Sequence, residues 1–261
     1  MTERYVELHA ASAFSFLEGA SQPEALIERA VALEMPSIAL LDHNGVYGSA
    51  RFHTSAKRND IRAHIGAEIA VSSFGSKLTP PAWLPHQYVS QPVRLPLLCE
   101  SREGYQNLCQ LITQFKMREI TKQEVAANFD DLQQYAQGLV CLTGSEEGPL
   151  AAALMRGGEE KGRDTVERLI RIFGPDNVYV ELQRHHEREE EWRNQAAIRI
   201  ADSLRLPVVA TNGVRHQQTC KPECWRRLGR PRQGQRNKDR RWAQRITRDR
   251  QWRCMVHPSR R

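Results

Sequence analysis

The sequence lacks any long run of apolar residues. No stretch approaches the 18 consecutive apolar residues that a membrane-spanning helix needs, so we expect no membrane-spanning helix. The first residues include Glu3 and Glu7 and contain no apolar core, so we expect no signal peptide. The six cysteines are scattered and form no closely spaced framework. These absences together predict a protein of the reducing cytoplasm.

Acidic residues are scarce in the last part of the chain, where 217–261 holds 15 Lys or Arg but only 3 Asp or Glu. The preceding 216 residues hold 28 acidic and 23 basic residues, so the net charge of +7 comes from the end of the chain. A basic chain would ordinarily suggest nucleic-acid binding, but here the excess of positive charge cannot be assigned to the part of the chain at 1–216. Because 217–261 also lacks apolar periodicity, we predict a folded domain at 1–216 and a disordered, Arg-rich tail at 217–261.

Within 1–216, short apolar runs alternate with segments of helical periodicity. The expected strands are 5–8, 37–41, 64–71, 93–99, 138–142, 177–182 and 206–211. The expected helices follow a capping box at 21–24 and then cover 47–57, 104–115, 148–157, 163–173 and 188–203. The first helix should bury Leu26, Ile27, Ala30, Val31 and Leu33, and 72–92 should be an extended loop. This alternation predicts an α/β fold with a mainly parallel sheet, open or closed into a barrel.

Polar residues with metal-binding side chains stand at or just beyond the ends of several predicted strands. They are His9, Asp42, His43, Glu68, His185 and His216. In parallel α/β folds the carboxyl ends of the strands meet at one edge, where sites form. Imidazoles and carboxylates suit Zn²⁺ or Mn²⁺, and two such ions would activate water and hold a phosphate. The alternative is that each is an ordinary polar residue at the start of a loop.

The tail offers two further interpretations. Histidines and cysteines stand just before the tail and within it, and they would suit a zinc knuckle if a packed framework surrounded them. They are His216, Cys220, Cys224, Cys254 and His257. Tryptophans at 225, 242 and 252 lie among arginines, a composition that also occurs in segments that bind single-stranded nucleic acid.

Several segments resemble the N-terminal PHP domain (polymerase and histidinol phosphatase domain) of bacterial C-family DNA polymerases, the polymerase III alpha-subunit type. The matching segments are 7–21, 39–43, 66–68, 97–113, 179–185 and 206–212, in the family's order. The Gly-Tyr-Gln-Asn-Leu-Cys string at 104–109 is especially typical of these polymerases, and the Glu-Leu-His opening at 7–9 is similar to their error-prone branch.

This resemblance implies a distorted (β/α)7 barrel, incomplete at its C-terminal end, with a degenerate metal site. By position, the family's metal ligands fall on His9, Asp42, His43, Glu68 and His185. Four other positions depart from the family's ligands, namely Ala11, Ser145, Gly213 and Arg215. We therefore expect one weakly bound divalent metal (Zn or Mn) or none, rather than a trinuclear cluster.

The resemblance also implies the function. We expect the N-terminal part of an error-prone DNA-directed DNA polymerase, which acts in translesion synthesis and repair, with DNA, the following polymerase domains and mutagenesis accessory proteins as partners. The family's catalytic palm has no counterpart in this chain, so we expect no polymerisation by it alone. The tail reads like an out-of-frame sequence that begins near residue 217. The alternatives are a free-standing PHP-type phosphoesterase and a nucleic-acid-binding module that uses the basic tail.

Overall fold

A computed structural model of the chain describes residues 5–72, 92–118, 126–185 and 188–216. Its strands are Glu7–Ala10 (β1), Ser37–His43 (β2), Arg62–Val71 (β3), Val93–Cys99 (β4), Leu139–Leu142 (β5), Val178–Leu182 (β6) and Val208–Ala210 (β7). Its helices are Pro23–Ala32 (α1), Ser49–Arg58 (α2), Arg102–Arg118 (α3), Phe129–Tyr135 (α4), Pro149–Phe173 (α5) and Arg188–Leu204 (α6). Nearly all of the loop expected at 72–92, and the whole tail at 217–261, lie outside the described residues.

The seven strands form one curled sheet in which each strand lies beside its neighbours in the sequence. Pairing is parallel from β1 to β3 and from β5 to β7, whereas β4 is antiparallel to both β3 and β5. The prediction of a mainly parallel α/β sheet is confirmed, and the reversed β4 is a feature that the alternation did not indicate. The carboxyl ends of six strands therefore meet at one edge, together with the start of β4.

The curl brings the chain after β7 back to β1. Val214 forms an isolated parallel bridge with Ala10, and its N–H donates to the His9 carbonyl at 2.9 Å. The Asn212 N–H also donates to the Glu7 carboxylate at 3.0 Å. The result is an incomplete PHP-type barrel, as expected, in which β1 is joined to the segment beyond β7.

Helix α1 differs from its prediction in two details. It buries Leu26, Ile27 and Ala30, but Val31 is 40% exposed and Leu33 is only half-buried at the C-cap. The expected capping box does not form, because Gln22, rather than Ser21, occupies the N-cap and makes no side-chain hydrogen bond there. Glu24, the expected partner of that box, pairs with Arg51 of α2 instead.

Two glycines explain why 148–157 and 163–173 read as separate helices. The structure has one helical run, α5, that is interrupted at Gly157 and Gly158. Gly158 adopts φ 67° and ψ −159°, a conformation that is essentially restricted to glycine and that kinks the helix. Helix α4 was not predicted. Asn128 and Asp131 form a capping box at its start, and this was the available signal.

The helices pack their apolar faces on the sheet, where Leu108, Leu111 and Ile112 of α3 join β3, β4 and β5 in the largest apolar cluster. None of the described helices is long and apolar enough to cross a membrane. Cys99 and Cys141 are buried in the core, whereas Cys109 is only half-buried.

Candidate metal centre

A cavity of about 1110 Å³ opens at the carboxyl ends of the parallel strands. Its walls carry most of the residues that the sequence singled out, together with several charged residues that it did not. The charged and histidine side chains that line it include His9, Glu18, His43, Glu68, Arg94, Glu147, Glu181 and His185. Among the described residues, Asp42 and His216 do not line the cavity.

His9 lies between two carboxylates at the end of β1. Its Nδ1 is 2.7 Å from Glu181 Oε1, and its Nε2 is 3.2 Å from Glu68 Oε1. Burial alone would lower the pKa of His9, but the two carboxylates outweigh burial and raise the pKa well above its usual value. Both ring nitrogens of His9 are therefore engaged as donors within the protein.

Glu68 lies within β3, level with the end of β2, and several groups contact its carboxylate. Burial would raise the pKa of its carboxyl, but the imidazoles of His43 and His9 and the charge of Arg94 lower the pKa well below its usual range. The nearest atom of His43 is Nδ1, which lies 3.9 Å from Glu68 Oε2, beyond hydrogen-bond distance. Glu68 is therefore an ionised carboxylate with partners on both oxygens.

Arg94, near the start of β4, joins three carboxylates. Its Nη1 and Nη2 donate to the two oxygens of Glu18, each at 2.6 Å, in the bidentate geometry of strong guanidinium–carboxylate pairs. Nη1 also lies 3.4 Å from Glu68 Oε2, and Nε lies 3.3 Å from Glu147 Oε2. We call this ion-paired set of His9, Glu18, Glu68, Arg94 and Glu181 the charged cluster.

Asp42, at the end of β2, has a different environment. Its Oδ1 accepts from the Ser12 N–H and hydroxyl, both at 2.8 Å, and from the Ser15 hydroxyl at 3.1 Å. Its Oδ2 accepts from the Gly48 N–H at 3.0 Å, just before α2 begins. We call Asp42, Ser12, Ser15 and Gly48 the Asp42 anchor. The anchor ties the loop after β1 and the start of α2 to the end of β2.

His185 stands at the rim of the cavity, with a side chain that is 47% exposed. Its Nδ1 pairs with Glu190 Oε1 at 2.8 Å, and its Nε2 lies 2.9 Å from the Asn212 carbonyl oxygen, to which it donates. His43 borders the cavity closer to its centre, and its Nε2 lies 3.1 Å from Asn44 Nδ2. The structure thus brings His9, His43, Glu68 and His185 to one cavity and directs Asp42 into the anchor.

The four positions that depart from the family's ligands all line this same cavity: Ala11, Ser145, Gly213 and Arg215. Gly213 has φ 58°, and a Cβ there would lie 2.9 Å from the Gln183 amide, so a larger residue would strain the backbone and displace Gln183. Arg215 pairs with Glu147 at 3.2 Å across the opening.

One group of three residues has the chemistry and spacing for a single cation. Glu18, His43 and Glu68 each offer a ligand atom, and these atoms lie within 4.8 Å of one another. Two carboxylates and one imidazole suit a hard or borderline divalent metal. However, Arg94 already donates to both carboxylates, so these residues as arranged do not leave their oxygens open to a metal.

Sequence reasoning missed Glu18, Arg94 and Glu181. Glu181 carried the clearest signal, because it is an acidic residue in the otherwise apolar strand Val178–Leu182 and is completely buried with His9. Glu18 follows Leu17, whose φ of 65° turns the loop towards Arg94. The Arg94–Glu18 pair joins residues 76 positions apart, and no local pattern indicates such a pair.

Comparison with known proteins agrees with this architecture. A family model described as "PHP domain" matches residues 7–185. The error-prone DNA polymerase of Mycolicibacterium paratuberculosis is 35% identical over 210 residues, which cover 80% of this chain and 18% of that polymerase. The error-prone DNA polymerase of Anaeromyxobacter sp. (strain K) is 36% identical over 219 residues, or 81% and 17% of the two chains. The chain therefore spans less than a fifth of the length of these curated relatives.

A solved structure gives the same fold. An amidohydrolase from Chromobacterium violaceum, described as having bound sulfate and no metal, aligns with a TM-score of 0.51 and 17% identity over 88% of this chain and 99% of that one. At this identity the likeness concerns the fold alone.

The family model matches well over half of the residues of this chain, so the chain belongs to the PHP domain family. Its relatives over that region are the N-terminal parts of error-prone DNA polymerases.

Proposed function

We propose that this chain is the N-terminal PHP region of an error-prone DNA polymerase and that it serves there as a structural support for translesion synthesis. The observation that carries the proposal is the 35% identity with an error-prone polymerase over 210 residues. In this role its partners are DNA, the following polymerase domains and mutagenesis accessory proteins, all in the cytoplasm. The chain by itself does not extend a primer.

The cavity supports a structural role over a hydrolytic one. Its carboxylates are ion-paired within the protein, because Arg94 holds Glu18 and Glu68 while His9 bridges Glu68 and Glu181. Ala11, Ser145, Gly213 and Arg215 supply no further metal ligand, and metal-assisted hydrolysis of phosphodiesters ordinarily uses two ions held by several ligands. The domain boundary in this proposal is residue 216, with the Arg-rich tail of 217–261 outside the PHP region.

Two experiments test the proposal. The coding DNA downstream of codon 216 should encode a polymerase continuation in another reading frame. Joining that frame to the PHP region should give a protein that extends a primer past a template lesion, while the 261-residue chain does not. Absence of such a continuation, or primer extension by the 261-residue chain, would overturn the proposal.

A second candidate function is a metal-dependent phosphoesterase, which the convergence of Glu18, His43 and Glu68 favours. Incubating the full chain with Mn²⁺ or Zn²⁺ and bis(p-nitrophenyl) phosphate tests this candidate. Turnover that is lost in Glu68→Gln but kept in Glu24→Gln, a surface carboxylate paired with Arg51, would establish the phosphoesterase and displace the structural role. The nucleic-acid-binding alternative concerns 217–261 and is tested by measuring single-strand affinity before and after deletion of those residues.

A further inference from the structure

Arg94 lies within the candidate metal centre, among the carboxylates that could hold a cation. Its guanidinium donates to both oxygens of Glu18 and also contacts Glu68, and these are the two carboxylates of the three-residue group that has metal-binding spacing. Only 20% of the Arg94 side chain is exposed, so these pairs are largely shielded from water. We propose that the Arg94 guanidinium is the built-in cation of this site, that it excludes a divalent metal, and that its removal converts Glu18, His43 and Glu68 into a single metal site.

The occupation of the carboxylate oxygens is the first argument. The Arg94 guanidinium lies within 3.4 Å of the carboxylates of Glu18, Glu68 and Glu147. Three carboxylates gathered around one point in a partly buried site repel one another and need a cation between them. The guanidinium supplies one positive charge and also makes oriented hydrogen bonds, so a metal ion would have to break a bidentate pair in order to enter.

The tautomer of His43 is the second argument. The Ala70 N–H donates to Asn44 Oδ1 at 2.8 Å, and this bond orients the Asn44 amide so that its NH₂ group faces His43 Nε2 at 3.1 Å. His43 Nε2 must therefore accept, which places the ring proton on Nδ1, the nitrogen that faces Glu68. A metal ligand needs a free lone pair on that nitrogen. The backbone of β3 thus holds His43 in the tautomer that does not bind a metal through Nδ1.

His43 Nδ1 is also buried and makes no hydrogen bond with the described residues. Its direction towards Glu68 means that the nitrogen is in place for a cation once the tautomer changes. Replacing Asn44 by Asp should favour this change, because a carboxylate accepts a hydrogen bond from Nε2–H and still accepts from the Ala70 N–H. Carboxylates that orient a ligating histidine in this way commonly change metal affinity by about 10- to 100-fold.

The experiment measures metal content and thermal stability in the full 261-residue chain. The variants are Arg94→Gln, Arg94→Gln with Asn44→Asp, and the control Arg51→Gln. The control removes an equally bidentate ion pair, to Glu24, and neither residue belongs to a group with metal-binding spacing among the described residues. Mn²⁺ is the probe, because it prefers oxygen and nitrogen ligands over the cysteine thiols of this chain. Each protein is freed of metal, incubated with Mn²⁺, passed through a desalting column and analysed for bound manganese and for Tm.

We expect wild type and Arg51→Gln to retain no manganese and to show the same Tm with and without Mn²⁺. Arg94→Gln should retain up to one ion per chain, and its Tm should rise with Mn²⁺ concentration as binding to the folded state requires. Adding Asn44→Asp should tighten binding by about tenfold. Stoichiometric manganese in wild type, or none in a folded Arg94→Gln, would overturn the proposal.

Loss of Arg94 leaves three carboxylates together, so the Gln variant has a foreseeable folding defect. Recovery of Arg94→Gln only in buffers that contain Mn²⁺ supports the proposal. If it folds in neither buffer, Arg94→Gln combined with Glu147→Gln decides, since it removes one of the three carboxylates but keeps Glu18, His43 and Glu68. The Tm of this double variant must then rise with Mn²⁺, and an unchanged Tm overturns the proposal. None of these readouts depends on polymerase or phosphoesterase activity, so the inference and the proposed function fail independently.

Discussion

The Asp42 anchor and the charged cluster both form around a carboxylate near the end of a strand, yet they stabilise it in different ways. Strands β2 and β3 are paired in register, with Asp42 beside Ala67 and His43 beside Glu68. Asp42 accepts hydrogen bonds from neutral hydroxyl and backbone donors, whereas Glu68 is surrounded by His9, His43 and Arg94. We infer that a carboxylate near the end of a strand is a candidate ligand only if its oxygens face the cavity.

The largest expected effect comes from breaking the charged cluster at its centre. His9→Ala leaves Glu68 and Glu181 buried without their shared partner, so we expect about 4 kcal/mol of destabilisation. Urea unfolding at pH 7 measures it. The control His53→Ala, on the partly exposed side of α2, should change the free energy of unfolding by less than about 0.5 kcal/mol. An equal loss in the two variants would remove the special role of His9.

Asp42→Asn tests the anchor. An NH₂ group then faces either the Gly48 N–H or the donors of Ser12 and Ser15, and a buried donor loses its acceptor. We expect a loss of about 2 kcal/mol in urea unfolding. Asp164→Asn, at an exposed pair with Lys161, should cost less than about 0.5 kcal/mol. A loss for Asp42→Asn no larger than that would show that the anchor adds little stability.

The charged cluster should respond to pH in a defined direction. Burial lowers the pKa of His9, but Glu181 and Glu68 outweigh burial and raise the pKa above 6.5. The folded chain therefore binds this proton more tightly than the unfolded chain, so the stabilisation is complete below about pH 6.5 and is lost as pH rises through the folded-state pKa. The free-energy difference between wild type and His9→Gln should shrink by up to about 1.4 kcal/mol per pH unit between about pH 6.5 and the folded-state pKa.

Urea unfolding at intervals from pH 6 to pH 9 measures this dependence. The control Arg51→Gln removes a group that stays charged throughout this range, so its difference from wild type should be constant. A difference between wild type and His9→Gln that does not change from pH 6 to pH 9 would mean that the carboxylates do not raise the pKa of His9.

The smallest expected effect concerns Ser15 of the Asp42 anchor, which links Asp42 to the backbone of His43. Its hydroxyl donates to Asp42 and accepts from the His43 N–H at 3.0 Å. Ser15→Ala should destabilise the chain by about 1 kcal/mol. The matched variant Ser203→Ala, at an exposed position near the end of α6, should lie within about 0.5 kcal/mol of wild type in the same urea titration. Equal effects would show that the link carries no stability of its own.

Much of the fold was predictable, because strands and helices are indicated by local apolar periodicity. The predicted strand at 37–41 extends in the structure to His43, and the predicted helix at 104–115 lies within α3. Prediction was wrong where the signal depended on one position, as at the capping box of α1, or where an element was short, as with the seven residues of α4. The antiparallel direction of β4 depends on strand pairing, for which the alternation holds no signal.

The candidate site was likewise predictable only in part. Its place at the strand ends, and the presence of His9, His43, Glu68 and His185 there, follow from residues that stand beside predicted strands. The orientation of Asp42 away from the cavity depends on Ser12 and Ser15, which belong to a different loop. Whether these residues act as metal ligands stays a prediction that the Arg94 variants test.

Patterns within a few residues of one another were enough to predict the order of the elements, the family to which the chain belongs and the edge of the sheet where the site lies. Which charges meet depends on the tertiary structure. Arg94 reaches Glu18 across 76 residues and His9 reaches Glu181 across 172. Such pairs form because the curled sheet gathers distant strand ends around one cavity, where buried ionised groups need partners of opposite charge.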